Sequence, residues 1–521
     1  YNIIKGFLNL TVADAYWKEL LQTRYNDICY GKKEMNGKRV MVEYSSPNTN
    51  KPLHLGHLRN IFLGWSVAEI LKANGYEVIK SCMVNDRGIH ICKSMIAWQK
   101  FANGATPESM GKKGDHFVGD YYVKFNHEYK QEVEKLLSEG LDKATAEKEA
   151  PIMKATQQML QDWEAGKPEV IELWKKMNGW VYDGFDVTYK NIGADFDKMY
   201  YESNTYLLGK DIVKQGMDKK VFFQKADNSI WIDLTADGLD EKIVQRSDGT
   251  SVYITQDIGL ALQKYEQYKI DQSIYVIGNE QNYHMKVLKL ICQKLGMPNA
   301  DNIYHLSYGM VELTSGKMKS REGTVVDADD IVSEMISTSQ QHTEELGKVK
   351  DFTDDELKEL YRTIGLGAMK FYLLRVDPKK TMVFNPAESI DFHGFTGPFV
   401  QYTYARIQSI LRKNEVSKSL ESSMTNDPMT NDLLKEEKDI LVIAEQYPAI
   451  IEQACDEHNP SVIANYVFHL AKNFNSFLTV HSVLTAETEE KKQLRLKVAI
   501  MTANIIKSGM GLMGITVPDR M

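Results

Sequence analysis

Val40-Met41-Val42-Glu43-Tyr44 is a short, mostly apolar run of the kind that forms a buried strand. A turn-rich stretch follows, Ser45-Ser46-Pro47-Asn48-Thr49-Asn50-Lys51-Pro52. Apolar residues then recur at helical spacing: Leu58, Ile61, Phe62, Trp65, Ala68 and Leu71. Asn74-Gly75 supplies a helix stop, and residues 76–84 read as a second strand. Strand, loop, helix, strand is a βαβ unit and predicts a parallel sheet. Residues 101–206 differ: they are charged, helical in pattern and rich in Trp and Lys, as in Glu172-Leu173-Trp174-Lys175-Lys176, and predict a helical insertion. Strand patterns return at residues 229–234, 251–255 and 273–277, the last two each followed by a helix-like run. The sheet domain is therefore expected to close near residue 330. Beyond it the pattern predicts helices alone, broken at Pro378, Pro386, Pro398 and a polar linker at residues 417–431.

Length and composition narrow this picture. A chain of 521 residues exceeds one ordinary core, so two to four domains are expected. Hydrophobic residues make up 43% and charged residues 26%, a globular mixture. No apolar run is long enough to span a bilayer, and no signal-peptide pattern opens the chain. The first residue is Tyr1, and Gly6-Phe7-Leu8-Asn9-Leu10 reads like the end of a strand, so N-terminal sequence is expected to be missing. The five cysteines form no CxxC pair, which suits a reducing compartment and argues against a zinc knuckle. A net charge of -8 neither favours nor excludes nucleic acid, because binding depends on local basic patches.

The sharpest chemistry lies in His54-Leu55-Gly56-His57, at the predicted helix start. A spacing of three puts both imidazoles on one helix face. Unpaired N–H groups and the helix dipole favour phosphate there, and Gly56 leaves room for a ligand such as a purine ring. Two imidazole donors suit the charge that develops on a phosphorus under attack. A pair of capping or surface histidines has the same spacing; the preceding strand, the polar turn and Lys51 tip the balance toward phosphate. A second element lies in Gly316-Lys317-Met318-Lys319-Ser320-Arg321-Glu322-Gly323-Thr324, a cationic stretch between glycines after the strand-like residues 303–313. Glycine ends suit a mobile flap, and cations suit a pyrophosphate leaving group.

Together these elements resemble the HIGH and KMSKS signatures of class I aminoacyl-tRNA synthetases, and within that class the arginyl-tRNA synthetases. Glu43-Tyr44-Ser45-Ser46-Pro47-Asn48 leading into His54-Leu55-Gly56-His57-Leu58-Arg59 is similar to that family's first motif. So are Arg246-Ser247-Asp248-Gly249-Thr250 with Tyr253 and Asp257, the run Gly397-Pro398-Phe399-Val400-Gln401-Tyr402-Thr403-Tyr404-Ala405-Arg406-Ile407, and the ending Pro518-Asp519-Arg520-Met521. The resemblance implies an α/β chain: a Rossmann-type parallel-sheet catalytic domain at 37–330 with its helical insertion, a helical connector at 331–385, and an all-α anticodon-binding bundle at 386–521. Residues 1–36 are then the remnant of an N-terminal domain and its linker.

The resemblance also implies the reaction. Arginine would attack the α-phosphate of Mg-ATP to give arginyl-adenylate and pyrophosphate, and the arginyl group would pass to the terminal adenosine of tRNA(Arg). His54, His57, Lys51 and Lys317 would be catalytic; Ser46, Pro47, Gly56, Met318 and Lys319 would join them around ATP. Family positions matching Glu43, Asn48, Tyr253, Asp257 and Gln281 line the arginine pocket, and two carboxylates suit a guanidinium with its permanent charge. Taken singly, Glu43 reads as a paired strand-end charge and Asp257 as a helix cap. Ser320 stands where many class I enzymes carry the second flap lysine. Lys51 is expected to replace it, with Lys319 as the rival. Tyr402, Tyr404, Arg406 and Met521 are candidates for anticodon contact, although tyrosines at helical spacing also pack between helices. Asn473, Phe474 and Phe477 read as core. No protein-held metal is expected, and the chain is expected to act as a cytoplasmic monomer. The rival readings are another class I synthetase, a smaller nucleotidyltransferase, or a non-catalytic tRNA-binding protein.

Overall fold

The computed structural model describes all residues except 1, 5–6, 10–11, 207, 251, 314–325, 346, 348–350 and 415–431. The polar linker at 417–431 and the cationic segment at 316–324 therefore lie outside the described residues. The chain forms two compact units. One comprises Lys38–Gly64 and Glu77–Ile331; the other comprises Tyr1–Gly37, Trp65–Tyr76 and Val332–Met521.

The first unit is built on a parallel sheet of five strands: Arg39–Glu43 (β1), Glu77–Val84 (β2), Lys198–Tyr201 (β3), Gln272–Gly278 (β4) and Ile303–Tyr308 (β5). Their spatial order is β3-β2-β1-β4-β5, with β1 paired to β2 through Met41↔Ile79 and to β4 through Met41↔Ser273. This is the doubly wound order, in which the crevice for a ligand opens past the carboxyl ends of the strands where the order reverses, here between β1 and β4. Val40, Met41 and Val42 are each at most 1% exposed, as the near-continuous apolar run of a central parallel strand requires.

Between β1 and β2 runs the helix Leu55–Ala73 (α1), its stop set by Gly75 at φ +83°. A side chain there would also meet the Glu34 carbonyl, so glycine is doubly required. The insertion is a set of helices that includes Gly114–Ser138 (α2) and Pro168–Ile192 (α3), which pack on each other. The helix Tyr253–Tyr268 (α4) precedes β4, and Ala328–Glu345 (α5) begins at the unit's end.

Four sequence expectations need correction. Residues 251–255 do not form a strand: α4 starts at Tyr253 with Val252 as its cap, and residue 251 is not described. Ile254, Ile258 and Ala261 are buried at helical spacing, so core packing overrides the strand preference of the β-branched run. Ile230–Ile232 is a strand but pairs antiparallel with Phe223–Gln224 and Lys242–Gln245, outside the parallel sheet. β3 lies inside the span expected to be helical; it is a four-residue edge strand, too short to show a period. Finally, Met382–Phe384 is a strand in the region expected to be helical throughout, with Met382 and Phe384 buried and Val383 exposed in alternation.

Apart from that strand and the antiparallel pair Asn2–Ile4 and Phe7–Asn9, the second unit is helical where described. Asp354–Leu374 (α6) starts at a capping box of Thr353 and Glu356. Gly397–Lys413 (α7), Pro460–Val480 (α8) and Glu489–Leu512 (α9) start at Thr396, Asn459 and Thr488, whose side chains accept backbone N–H groups. Pro398 falls in the first turn of α7, where its missing N–H costs nothing. Helix α7 packs against α6, α8 and α9, and its Gln401 amide donates to the Thr363 and Thr516 carbonyls.

Candidate active site

The loop at residues 44–54 leaves β1 at the switch point. Ser45 and Ser46 both adopt left-handed conformations, with φ 77° and 45°. Each such residue costs on the order of 1–3 kcal/mol unless its surroundings hold it. Here Asn60 of α1 accepts the Ser45 N–H at 2.5 Å, and its amide donates to the Val276 carbonyl of β4 at 2.7 Å and to the Tyr308 hydroxyl at 3.2 Å. The Ser45 hydroxyl meets Tyr189 of α3 at 2.7 Å. Asn85, just past β2, donates its N–H to the Pro47 carbonyl at 2.9 Å and accepts that of Thr49 at 3.1 Å. Ser46, Pro47 and Asn48 are thereby fixed beside the carboxyl ends of β1 and β2.

The loop returns the chain to the histidine pair. The ring centroids of His54 and His57 lie 3.9 Å apart, so the shared helix face is real. The Gly56 N–H donates to His54 Nδ1 at 3.1 Å, and the His54 N–H donates to His57 Nδ1 at 3.1 Å. With both Nδ1 atoms accepting, each neutral ring carries its proton on Nε2. Removal from water pushes both pKa values down, that of His54 to about 3, and nearby Lys51 adds to the effect. At neutral pH the site thus presents uncharged N–H donors, which polarise a phosphate without titrating. Lys51 and His54 line a cavity of about 230 Å³ with Lys112, His116, Asp120 and Asp327.

The other expected residues divide. Glu43, at the end of β1, is 7% exposed and ion-paired with Lys264 of α4. The Lys264 ammonium also lies 4.6 Å from the Tyr275 ring centroid. Glu43 therefore matches the paired strand-end charge. Asp257 is not a helix cap: it lies within α4, and His284 Nε2 meets it at 2.7 Å. Tyr253, 72% exposed, lines a cleft of about 610 Å³ with Arg87, Glu202, Tyr206, Arg246 and Gln256. Gln281 is exposed at the end of a short turn after β4. Lys317, Met318 and Lys319 lie outside the described residues.

Sequence reading missed Glu202, immediately past β3. Burial raises its carboxyl pKa to about 7; Arg87 opposes the rise, while Asp86 and Asp257 add to it. Asp86 itself is satisfied, accepting from Tyr182 at 2.8 Å and from the Ser203 N–H and hydroxyl at 2.8 and 2.7 Å. The Arg87 guanidinium stacks 4.0 Å from the Tyr206 ring centroid. Glu202 thus lines the cleft beside the Tyr206 and Tyr253 rings, and Asp257 lies near enough to act on its charge. The position of β3, once known, would have flagged Glu202 by the rule that ligands meet strand carboxyl ends.

Among the described residues, His116, Asp327 and Asp329 form the one group with metal-like spacing. Lys113 already lies on Asp329 in an ion pair.

In the helical unit, Arg406 of α7 donates to Asn475 at 3.2 Å and lines a cleft of about 470 Å³ with Lys413, Leu478, Val480 and His481. Tyr404 is buried and bonded to Asp519 at 3.3 Å, a packing role, whereas Tyr402 and Met521 are half-buried. Phe474 and Phe477 are core, and Asn473 is half-buried.

Comparison with known proteins adds independent findings. The catalytic-domain model of tRNA synthetases class I (R) matches residues 19–385, and the DALR anticodon binding domain model matches residues 400–521. The chain is 54% identical to an arginine–tRNA ligase of Flavobacterium psychrophilum, covering 100% of the chain and 86% of that relative. It is 53% identical to one from Bacteroides fragilis, covering 100% and 87%. In three dimensions it is similar to the arginyl-tRNA synthetase of Thermus thermophilus, with a TM-score of 0.82 at 23% identity over 99% of this chain and 88% of that one.

Proposed function

The chain belongs to the class I arginyl-tRNA synthetases, and on that premise we propose how its residues divide the work of joining arginine to tRNA. It is an arginine–tRNA ligase that uses ATP: arginine is activated as arginyl-adenylate with release of pyrophosphate, and then transferred to the 3′-terminal adenosine of tRNA(Arg). The single observation that carries the division is the pair of neutral Nε2–H imidazoles at the helix start, held at the sheet's switch point.

In this reading ATP would lie over Ser46, Pro47 and Gly56, with Mg2+ entering as part of the Mg-ATP substrate. His54 and His57 donate to the phosphate under attack, and Lys51 adds a full positive charge, with Lys317, Met318 and Lys319 completing the site. Preorganised donors of this kind are worth roughly 3–4 kcal/mol each in transition-state stabilisation. The arginine guanidinium enters the cleft at Tyr253 and meets Asp257 and Glu202, while Asn48 and Gln281 face its polar backbone end. Glu43 contributes to the pocket through Lys264, neutralising that buried ammonium.

The anticodon falls to the helical bundle, with Arg406, Tyr402 and Met521 as contacts; unpaired bases are recognised by stacking and edge hydrogen bonds. The domain division 37–330, 331–385 and 386–521 goes with this assignment; the two matched models part between residues 385 and 400. Among the described residues no helix is long and apolar enough to cross a membrane. A cytoplasmic monomer completes the reading; sedimentation with and without tRNA tests the oligomeric state. The assignment of roles is tested by arginine-dependent ATP–pyrophosphate exchange in the presence of tRNA(Arg). His54→Ala and His57→Ala should each cut the rate by about a hundredfold or more, and an unchanged rate would remove the histidines from the chemistry.

A further inference from the structure

Residues 53–55, which carry His54, are paired with residues 326–328. The Leu55 N–H donates to the Val326 carbonyl at 3.3 Å, the Ala328 N–H donates to the Leu53 carbonyl at 3.0 Å, and His54 faces Asp327 in an antiparallel bridge. The backbone of the first histidine is thus set by a segment distant in sequence. That segment is in turn fixed from its far side. Asp327 caps α5, accepting the Asp329 N–H at 2.7 Å. Asp329 is ion-paired with Lys113, accepts from the Thr188 hydroxyl of α3 at 3.0 Å, and lies 3.2 Å from His116 Nε2. His116 Nε2 is also 3.2 Å from Asp327. Asp115, fully buried, closes the group 3.1 Å from the Lys113 ammonium.

The charges oppose one another in a definite way. Burial works to raise Asp329, but His116, Lys113 and Thr188 outweigh it and hold its carboxyl down at about 2. The carboxylate of Asp329, 3.2 Å away, with Asp327 and Asp115, holds His116 above its ordinary value against burial and Lys113. The other charged groups facing this region are Lys51, Lys112 and Asp120, and the neutral His54, across the cavity. Residue 119 of α2 is glycine, and a side chain there would press on Pro52 at 2.9 Å, so α2 also sits close against the histidine loop.

We propose that Asp329, His116 and Lys113 are positioning residues for the histidine pair: they brace Asp327 and, through its pairing with residues 53–55, set the placement of His54 toward ATP. None of these residues lines the cleft at Tyr253, whereas His116 and Asp327 line the cavity of Lys51 and His54, so the loss of the network should fall on the ATP side of the reaction. The proposal rests on the assignment of the histidine pair to ATP.

The test is steady-state ATP–pyrophosphate exchange with arginine and tRNA(Arg), from pH 6 to 9, with melting curves for each variant. Asp329→Asn and His116→Asn are expected to lower kcat/KM for ATP by about tenfold or more while KM for arginine stays within about twofold. His116 is charged below its raised pKa, and the brace weakens as pH rises through it. Wild-type kcat/KM for ATP should therefore fall on the alkaline side, His116→Asn should be low throughout, and His116→Lys, with its lasting charge, should lose the alkaline fall. If a variant melts below the assay temperature, Thr188→Val, which removes one bond to Asp329, carries the same prediction with a smaller effect. Wild-type ATP kinetics in Asp329→Asn and His116→Asn, beside a large loss in His54→Ala, would overturn the brace alone. Equal losses in ATP and arginine kinetics that follow the melting temperature would also overturn it. No loss in His54→Ala would instead overturn the assignment of the histidine pair.

Discussion

Glu202 offers a prediction whose size follows from its surroundings. Its carboxyl is held at about 7, against a usual 4.5, by burial and by the negative charge of Asp86 and Asp257, so at pH 7 the empty cleft holds it about half protonated. A bound guanidinium requires the carboxylate, and a cation within hydrogen-bond reach returns the pKa toward its ordinary range. The raised value corresponds to roughly 3 kcal/mol of ionisation cost in the empty cleft. The sign follows: arginine binding and deprotonation assist each other, so affinity rises with pH through the neutral range. Relative to the alkaline limit, binding should be about tenfold weaker at pH 6, about twofold weaker at pH 7 and nearly unaffected at pH 8. Arginine binding should also release about half a proton at pH 7. Isothermal titration of the tRNA-bound protein with arginine, in two buffers of different ionisation enthalpy, reads both quantities. Glu202→Gln should flatten the pH dependence and weaken binding by about tenfold to a hundredfold, the worth of a hydrogen bond to a charged group. That variant also separates Glu202 from any contribution of His284, which stays paired with Asp257. A wild-type affinity that does not change between pH 6 and 8, or a Glu202→Gln protein that binds arginine as tightly as wild type, would remove Glu202 from the arginine site.

Lys51→Ala should lower the exchange rate more than Lys319→Ala, because Lys51 shares the cavity with His54; equal effects or the reverse order would return the missing flap charge to Lys319. Lys264→Met strands the buried Glu43 carboxylate and should cost about 3–5 kcal/mol in urea unfolding, partly restored by adding Glu43→Gln; a stable single variant would show that Glu43 reaches water. Arg406→Ala should raise KM for tRNA(Arg) in aminoacylation while leaving KM for arginine and ATP at wild type, and a loss confined to arginine kinetics would remove Arg406 from the anticodon surface.

The legible parts of the chain are those where one physical signal acts alone. The run from Val40 to Gly75 reads correctly because a buried strand, a polar turn and a long, largely buried helix with apolar residues at helical spacing follow each other without competition. The run Val252-Tyr253-Ile254-Thr255 misleads because its local preference is for strand, while the core contacts of Ile254 and Ile258 exist only in the folded unit. β3 escapes because four residues at a sheet edge, half exposed, give no period to count. The histidine pair is visible because its members are three residues apart. Glu202 and Asp257, Glu43 and Lys264, and His116 and Asp329 are far apart in sequence, and only the order of the sheet and the docking of the insertion bring each pair together. Glu43 is the instructive case: a carboxylate expected to face the substrate is occupied by a lysine whose role no spacing announces.

In the proposed function the switch-point loop, with its two neutral imidazoles, and the cleft at Tyr253 together activate arginine with ATP. Exchange of labelled pyrophosphate into ATP, run with each amino acid in turn and with and without tRNA(Arg), tests it most directly. The expected result is exchange with arginine, strengthened or enabled by tRNA(Arg), and its collapse in His54→Ala. Exchange driven by another amino acid, or an arginine-dependent rate that survives loss of His54, would contradict it.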